Sequence, residues 1–432
     1  MSDTKEMIRF IEQGDFDATF RKLYLDDDVM CEKQRARYTD AVKRFAEMYG
    51  ENRQVRLYSA PGRTEIGGNH TDHNNGVVMA AAVNLDVIAV VSQNSDNVVR
   101  VKSAGFDRMD EVDMVRLAVD EREYGMSSAL IRGVATGIKE QGGVVGGFDA
   151  YTTSDVLRGS GLSSSAAFEV IIGAILNAEF NGNRFSAVDI AKISQYAENE
   201  FFGKPSGLMD QTACSVGSAI TIDFKNPESP VVTEVSFDLA QYGFALCITD
   251  TKGSHAGLTD DYAAIRSEME SVAAYYGKNV LREVDEQQFY HDIADIRKKT
   301  GDRAVLRSIH FFADCRRAGE LRKAVQENRF TDFLQGIIEG GHSSFEYNQN
   351  AYSIKHPSEQ GMALGVALSQ KILHGKGAWR LQGGGFAGTV QAFVPVALLA
   401  EYRAAMENVF GEGACYVLNV RNYGALAVTP EL

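Results

Sequence analysis

Residues 60–91 set two unlike stretches side by side. The first, 60–76, reads APGRTEIGGNHTDHNNG; the second, 77–91, reads VVMAAAVNLDVIAVV. The second is apolar and β-branched, the composition of one or two buried strands. It falls short of the ~18 apolar residues that suggest a membrane span. The first gathers Arg63, Glu65, His70, Asp72 and His73 among turn-forming Gly, Pro and Asn residues. So much polarity directly ahead of a buried sheet needs a reason.

A chain of 432 residues favours two domains or one large two-lobed unit, because single cores stop growing well before this length. Hydrophobic content of 44% and charged content of 24% allow large cores. The formal net charge of −14 argues against nucleic acid or an anionic membrane as main partner. It leaves room for a local basic pocket that takes a phosphate. Cys31, Cys214, Cys247, Cys315 and Cys415 form no CxxC or CxxH pair. They read as reduced thiols, not as a disulfide scaffold or a zinc site. The N-terminal residues are polar and lack a signal-peptide core, which predicts a soluble cytoplasmic protein. His291, His310, His356 and His374 have no metal-like spacing and are expected at the surface. Trp379 is expected in a core, and Asp26–Asp28 in a solvated turn.

Helices are expected within 1–50 and over 127–142, about 186–202, 258–277 and 312–327. Strands are expected over 53–60, 148–153, 243–250 and 389–396, with the polar loop following the first. Residues 157–167 lead from a strand into an apolar helix that ends near Phe180. No repeat, low-complexity segment or linker stands out, so the lobes should be tightly joined.

Three stations carry candidate chemistry. In the first, Gly159-Ser160-Gly161-Leu162 precedes a helix whose first turn is Ser163-Ser164-Ser165. Free N–H groups at a helix start, with the macrodipole, favour an anion, and serine hydroxyls add donors or ligate Mg²⁺. The spacing is neither a Walker P-loop nor a dinucleotide fingerprint. The second station pairs Glu198, late in a helix, with Asp210 in Gly207-Leu-Met-Asp-Gln211. Carboxylates embedded beside apolar residues need a partner or a task, although a helix-capping Asp is the plainer reading. The third, Gly383-Gly-Gly-Phe-Ala-Gly388, allows close backbone approach and identifies no ligand alone.

Taken together and in this order, the stations resemble the GHMP small-molecule kinases, and within them the galactokinases, from about residue 45 to the C-terminus. The signature Gly-Arg-Val-Asn-Leu-Ile-Gly-Glu-His-Thr-Asp-Tyr-Asn-x-Gly is similar to Gly62-Arg-Thr-Glu-Ile-Gly-Gly-Asn-His-Thr-Asp-His-Asn-Asn-Gly76. Residues 159–167 resemble the phosphate motif of that superfamily, and 207–211 its Gly-Ile-Met-Asp-Gln. The resemblance implies a two-lobed α+β fold with the active site in the cleft between the lobes. Residues 1–230 would form a ribosomal-protein-S5-domain-2-like lobe, with 1–44 as a helical extension, and 231–432 a ferredoxin-like lobe. It implies transfer of a phosphoryl group from ATP to a sugar's anomeric hydroxyl, with Mg²⁺. Asp210 matches the catalytic carboxylate and Arg63 the arginine beside it. Ser165 and Glu198 match the Mg²⁺ ligands, and Gly159 to Ser165 the triphosphate cradle. Asn69, His70, Asp72, Gly207 and Tyr262 match sugar-contacting positions. The partners implied are a sugar and ATP; oligomeric state is left open, a monomer being compatible.

The chain also departs from the signature. Asn69 stands where the galactokinases have Glu, Glu65 where they have Asn, and His73 where they have Tyr. Leu157-Arg158 replaces a proline-containing lead-in. Asn69 could still bond a C6 hydroxyl, since an amide both donates and accepts. It could instead admit a sugar with a C6 carboxylate, such as galacturonate. N-acetylgalactosamine or another sugar is a further alternative. A non-catalytic sugar sensor is the remaining one, disfavoured by the intact Ser163–Ala167 motif, Arg63, Glu198 and Asp210.

Overall fold

In the computed structural model the apolar run is a single strand, Val77–Gln93, buried at all but its ends and Leu85. The structure describes residues 2–24, 26–156, 161–204, 206–254 and 257–432. One strand serves where one or two were expected because it has two neighbours along one edge. Its later half pairs with Phe148–Ser154 and its earlier half with Ala219–Asp223. Along the other edge lies Gln54–Gly67.

That second strand corrects the expected loop. It runs through the polar stretch to Gly67, buried from Leu57 onward apart from its first residues, with register shifts after Pro61 and Glu65. Arg63 and Glu65 are therefore strand residues whose charges are met inside the protein. The true turn spans only 68–76 and contains the 3-10 helix Asp72–Asn74.

Among the described residues the larger sheet has nine strands. It reaches past residue 230, since Val231–Val235 pairs with Ala219–Asp223. It also takes back the chain's end, since Leu426–Val428 pairs with Gln54–Gly67. The smaller sheet has four antiparallel strands in the order Ala378–Gln382, Thr389–Pro395, Phe244–Asp250, Cys415–Leu418. Helices Gly361–Leu373 and Leu399–Phe410 complete a βαββαβ chain order with spatial order 2-3-1-4, a ferredoxin-like arrangement.

The described residues before residue 51 fold as the helices Thr4–Gln13, Asp17–Leu23 and Asp28–Tyr49, whose apolar faces cover Ile88 and Val90 of the long strand. The acidic run is solvent-exposed, as expected, and it also starts the third helix, Asp27 capping it by accepting from the Met30 N–H at 2.7 Å. Such a cap is worth about 1 kcal/mol. The helix expected from residue 312 begins at Asp302 and runs to Gln326. His310, expected at the surface, is fully buried on it; His291, His356 and His374 are exposed. Trp379 is buried, and the five cysteines are free thiols. Among the described residues no helix is long and apolar enough to cross a membrane.

Candidate active site

The three stations, far apart in sequence, converge where the two sheets meet. The helix Ser164–Asn181 starts directly after Ser163, which adopts a left-handed backbone, φ 58°. Arg63 arrives on the strand Gln54–Gly67, and its N–H donates to the Leu162 carbonyl at 3.0 Å. Its guanidinium donates to the Gly161 carbonyl, which Gln382 also reaches at 3.1 Å from the smaller sheet. Gly159 and Ser160 lie outside the described residues, as does the Leu157-Arg158 lead-in.

Asp210 is the second residue of the helix Met209–Val216, so it is not the N-cap. Arg63 grips it with two parallel bonds, Nε to Oδ1 and Nη2 to Oδ2, both 2.8 Å. The Ser163 hydroxyl donates to Oδ2. Burial alone would raise this carboxyl, but the charge and hydrogen bonds of Arg63, with Ser163, hold it below the ordinary carboxylate range. Its side chain remains 32% exposed, so an ionised oxygen is available to a substrate.

Asp72 approaches Gly207 so closely that a Cβ there would lie 2.1 Å from Asp72 Oδ2, so a larger residue would displace the Asp72 carboxylate. Burial and the charge of Asp210 raise the Asp72 carboxyl. His70 bonds the Gly384 carbonyl through Nε2 at 2.9 Å, which leaves Nδ1 to accept from His73 Nε2 at 3.4 Å. Burial lowers His70 to about 4, so the ring is neutral at pH 7. Tyr262 donates its hydroxyl to the Gly385 carbonyl at 2.9 Å and packs edge-on against Phe386. Asn69 differs from its neighbours: it has no exposed surface and its amide is engaged on every side by the protein.

Glu198 sits in a π-helical turn, Ala197–Phe201, that continues the helix Ala187–Tyr196. Gly133 lets the helix Ser127–Glu140 close on that turn, since a Cβ there would lie 2.6 Å from the Ala197 Cβ. Ser165 Oγ lies 3.4 Å from Glu198 Oε1. Two hard oxygens that close suit Mg²⁺, which takes one or two protein ligands and leaves the rest to phosphates and water. Among the described residues no group of three or more His, Cys, Asp or Glu could form a closed metal cage, and an open two-ligand site does not require one.

Residues not anticipated from sequence complete the constellation. Lys204 donates to Glu198 Oε1 at 2.7 Å, and Gln211 donates to Glu198 Oε2 at 2.8 Å and to Glu169 Oε2 at 3.2 Å. Glu169 is fully buried one turn after Ser165, and its Oε1 has no partner. The Gln211 position in its motif was a signal, but its use was not legible. Glu169 gave none beyond an acid within an apolar helix.

Residues 43–93 match the galactokinase galactose-binding signature and residues 129–218 the GHMP kinases N terminal domain. The galactokinase of Streptomyces coelicolor is 32% identical over 376 residues, 85% of this chain and 92% of its own. That of Actinobacillus pleuropneumoniae serotype 5b is 32% identical over 360 residues, 82% and 89% respectively. The crystal structure of Lactococcus lactis galactokinase complexed with galactose superposes with a TM-score of 0.75 at 22% identity. It covers 89% of this chain and 97% of that one. Methanococcus jannaschii mevalonate kinase superposes with a TM-score of 0.56 at 12% identity, covering 85% and 98%. The fold is the GHMP kinase fold.

Proposed function

The chain belongs to the galactokinase family of GHMP kinases, and we propose that it transfers the terminal phosphoryl group of ATP to the anomeric hydroxyl of galactose. The observation that carries this reading is the Arg63–Asp210 pair. An ionised, partly exposed carboxylate stands between the serine-rich helix start and the turn that bears His70 and Asp72.

Phosphoryl transfer needs positioning and charge neutralisation more than covalent help. In this reading Asp210 accepts the proton of the attacking hydroxyl. Arg63 keeps Asp210 ionised and faces the charge that spreads over the transferring group. The partly buried N-terminal turn of Ser164–Asn181, with Lys204, meets the phosphates. Ser165 and Glu198 would hold Mg²⁺, which when bound neutralises charge on the phosphates. His70, Asp72, Gly207 and Tyr262 hold the sugar, and their fixed hydrogen-bond directions discriminate among hydroxyl arrangements. The free cysteines suit a cytoplasmic setting.

The test is coupled ADP release with purified protein, Mg²⁺ and ATP over galactose, galacturonate, N-acetylgalactosamine, arabinose and glucose. Turnover on galactose well above the others is expected. Turnover confined to another sugar would replace the substrate, and none on any sugar would leave a sugar-binding regulator.

A further inference from the structure

We propose that Asn69 does not read the sugar but forms, with Glu65 and Arg380, a buried clasp that positions His70 and Asp72. This rests on the sugar-kinase reading above and deepens it.

Every polar atom of Asn69 has a partner among the described residues. Its side-chain N–H groups donate to Glu65 Oε1 at 3.0 Å and to the Gly383 carbonyl at 2.7 Å. Its Oδ1 accepts from Asn350 Nδ2 at 2.9 Å, with Ser344 Oγ and Asn348 Nδ2 each at 3.3 Å. Two acceptors on one side and three donors on the other leave one orientation of the amide. Its backbone N–H donates to Asp314 Oδ2 at 2.7 Å, and its carbonyl accepts from His310 Nε2 at 2.8 Å. No side-chain donor or acceptor remains for a ligand.

The clasp extends through Glu65. The same Oε1 accepts from Arg380 Nη2 at 2.7 Å, and Arg380 also donates to the Ile66 carbonyl. The amide and carboxylate thus tie the last strand residues before the turn to the smaller sheet and to its glycine-rich turn. His70 is the next residue, in a left-handed backbone at φ 58°, with its ring on the Gly384 carbonyl. The position of the site-facing side of the turn therefore depends on a residue that faces away from it.

A carboxylate at position 69 would meet the Gly383 carbonyl, which has no proton to share, and a second carboxyl at Glu65, so that two like groups would compete for one charge in a place closed to water. The reverse exchange at residue 65 would relieve this, with an amide donating where the carboxylate had accepted. Residues 65 and 69 act as one unit that holds one carboxylate and one amide. The galactokinase signature carries the same two groups in the opposite order.

The test is a double-mutant cycle of Asn69→Glu and Glu65→Asn, read by melting temperature and by separate KM values for galactose and ATP. Asn69→Glu is expected to lower the melting temperature and raise the sugar KM about tenfold or more, leaving the ATP KM within about twofold. The double variant should recover most of both losses. An Asn69→Glu variant too unstable to purify, beside a soluble double variant, supports the clasp equally. The clasp is overturned if Asn69→Glu melts like the parent while its sugar preference changes. Additive losses in the cycle, or a double variant that cannot be purified, also overturn it. Absence of turnover in the parent would instead sink the kinase reading, while the melting-temperature cycle still decides the clasp.

Discussion

Two arginine–carboxylate pairs flank the same short run of strand, and they have opposite fates. Arg63 holds Asp210 with two parallel 2.8 Å bonds, and Ser163 adds a third donor. Arg380 holds Glu65 through one oxygen at 2.7 Å, which it shares with Asn69. Asp210 is 32% exposed and stays below the ordinary carboxylate range. Glu65 is 5% exposed, and burial pushes it up to about 7 against the pull of Arg380 and Arg63. The pairing chemistry is alike; the number of donors and the access of water differ. Where donors outweigh desolvation the carboxylate stays charged and usable by a substrate. Where desolvation wins, the pair holds architecture together.

The harshest test of this contrast is Asp210→Asn. It keeps the shape and removes the proton acceptor, so kcat should fall about 10³-fold or more while ATP binding, measured by calorimetry, is retained. A rate near the parent's would remove Asp210 from the chemistry. Arg63→Lys comes next, replacing a planar fork by a point charge. kcat/KM should fall about 10²-fold. Because Arg63 holds the Asp210 carboxyl down, the acid limb of the pH–rate profile should move to higher pH; an unmoved limb would show that something else keeps Asp210 ionised. The smallest effect belongs to Glu65→Gln and is one of stability. The folded-state value of about 7 exceeds the ordinary 4.5, so the folded protein binds more protons between those values. Stability contributed by Glu65 is full below about pH 4.5 and is lost as pH rises toward 7, by at most about 3 kcal/mol. Melting curves across that window should be flatter in Glu65→Gln than in the parent. Equal slopes would mean Glu65 titrates normally and the two pairs are alike.

The reading from sequence reached the residues that sit in short motifs. Arg63, Ser163, Ser165, Glu198 and Asp210 come together as a constellation, because each motif ends or begins an element at the junction of the two sheets. It failed where a polar residue's partner lies hundreds of positions away. The strand was stopped at residue 60 because Arg63 and Glu65 looked like loop residues; their charges are answered by Asp210 and Arg380. His310 looked like a surface histidine, yet its ring spans from the Asn69 carbonyl to the Ser343 hydroxyl. Position in a motif does not say which way a side chain turns, and the Asn69 amide lies wholly within the protein.

The sequence alone determined the family, the order of the main elements and the candidate phosphoryl-transfer residues. These follow from local signals: periodicity, turn chemistry and the spacing of glycines, serines and carboxylates. Which carboxylate keeps contact with solvent and which is sealed within the protein emerges only from the tertiary fold. That choice depends on desolvation and on hydrogen bonds between residues up to 315 positions apart, as between Glu65 and Arg380, and no local window of sequence contains both partners.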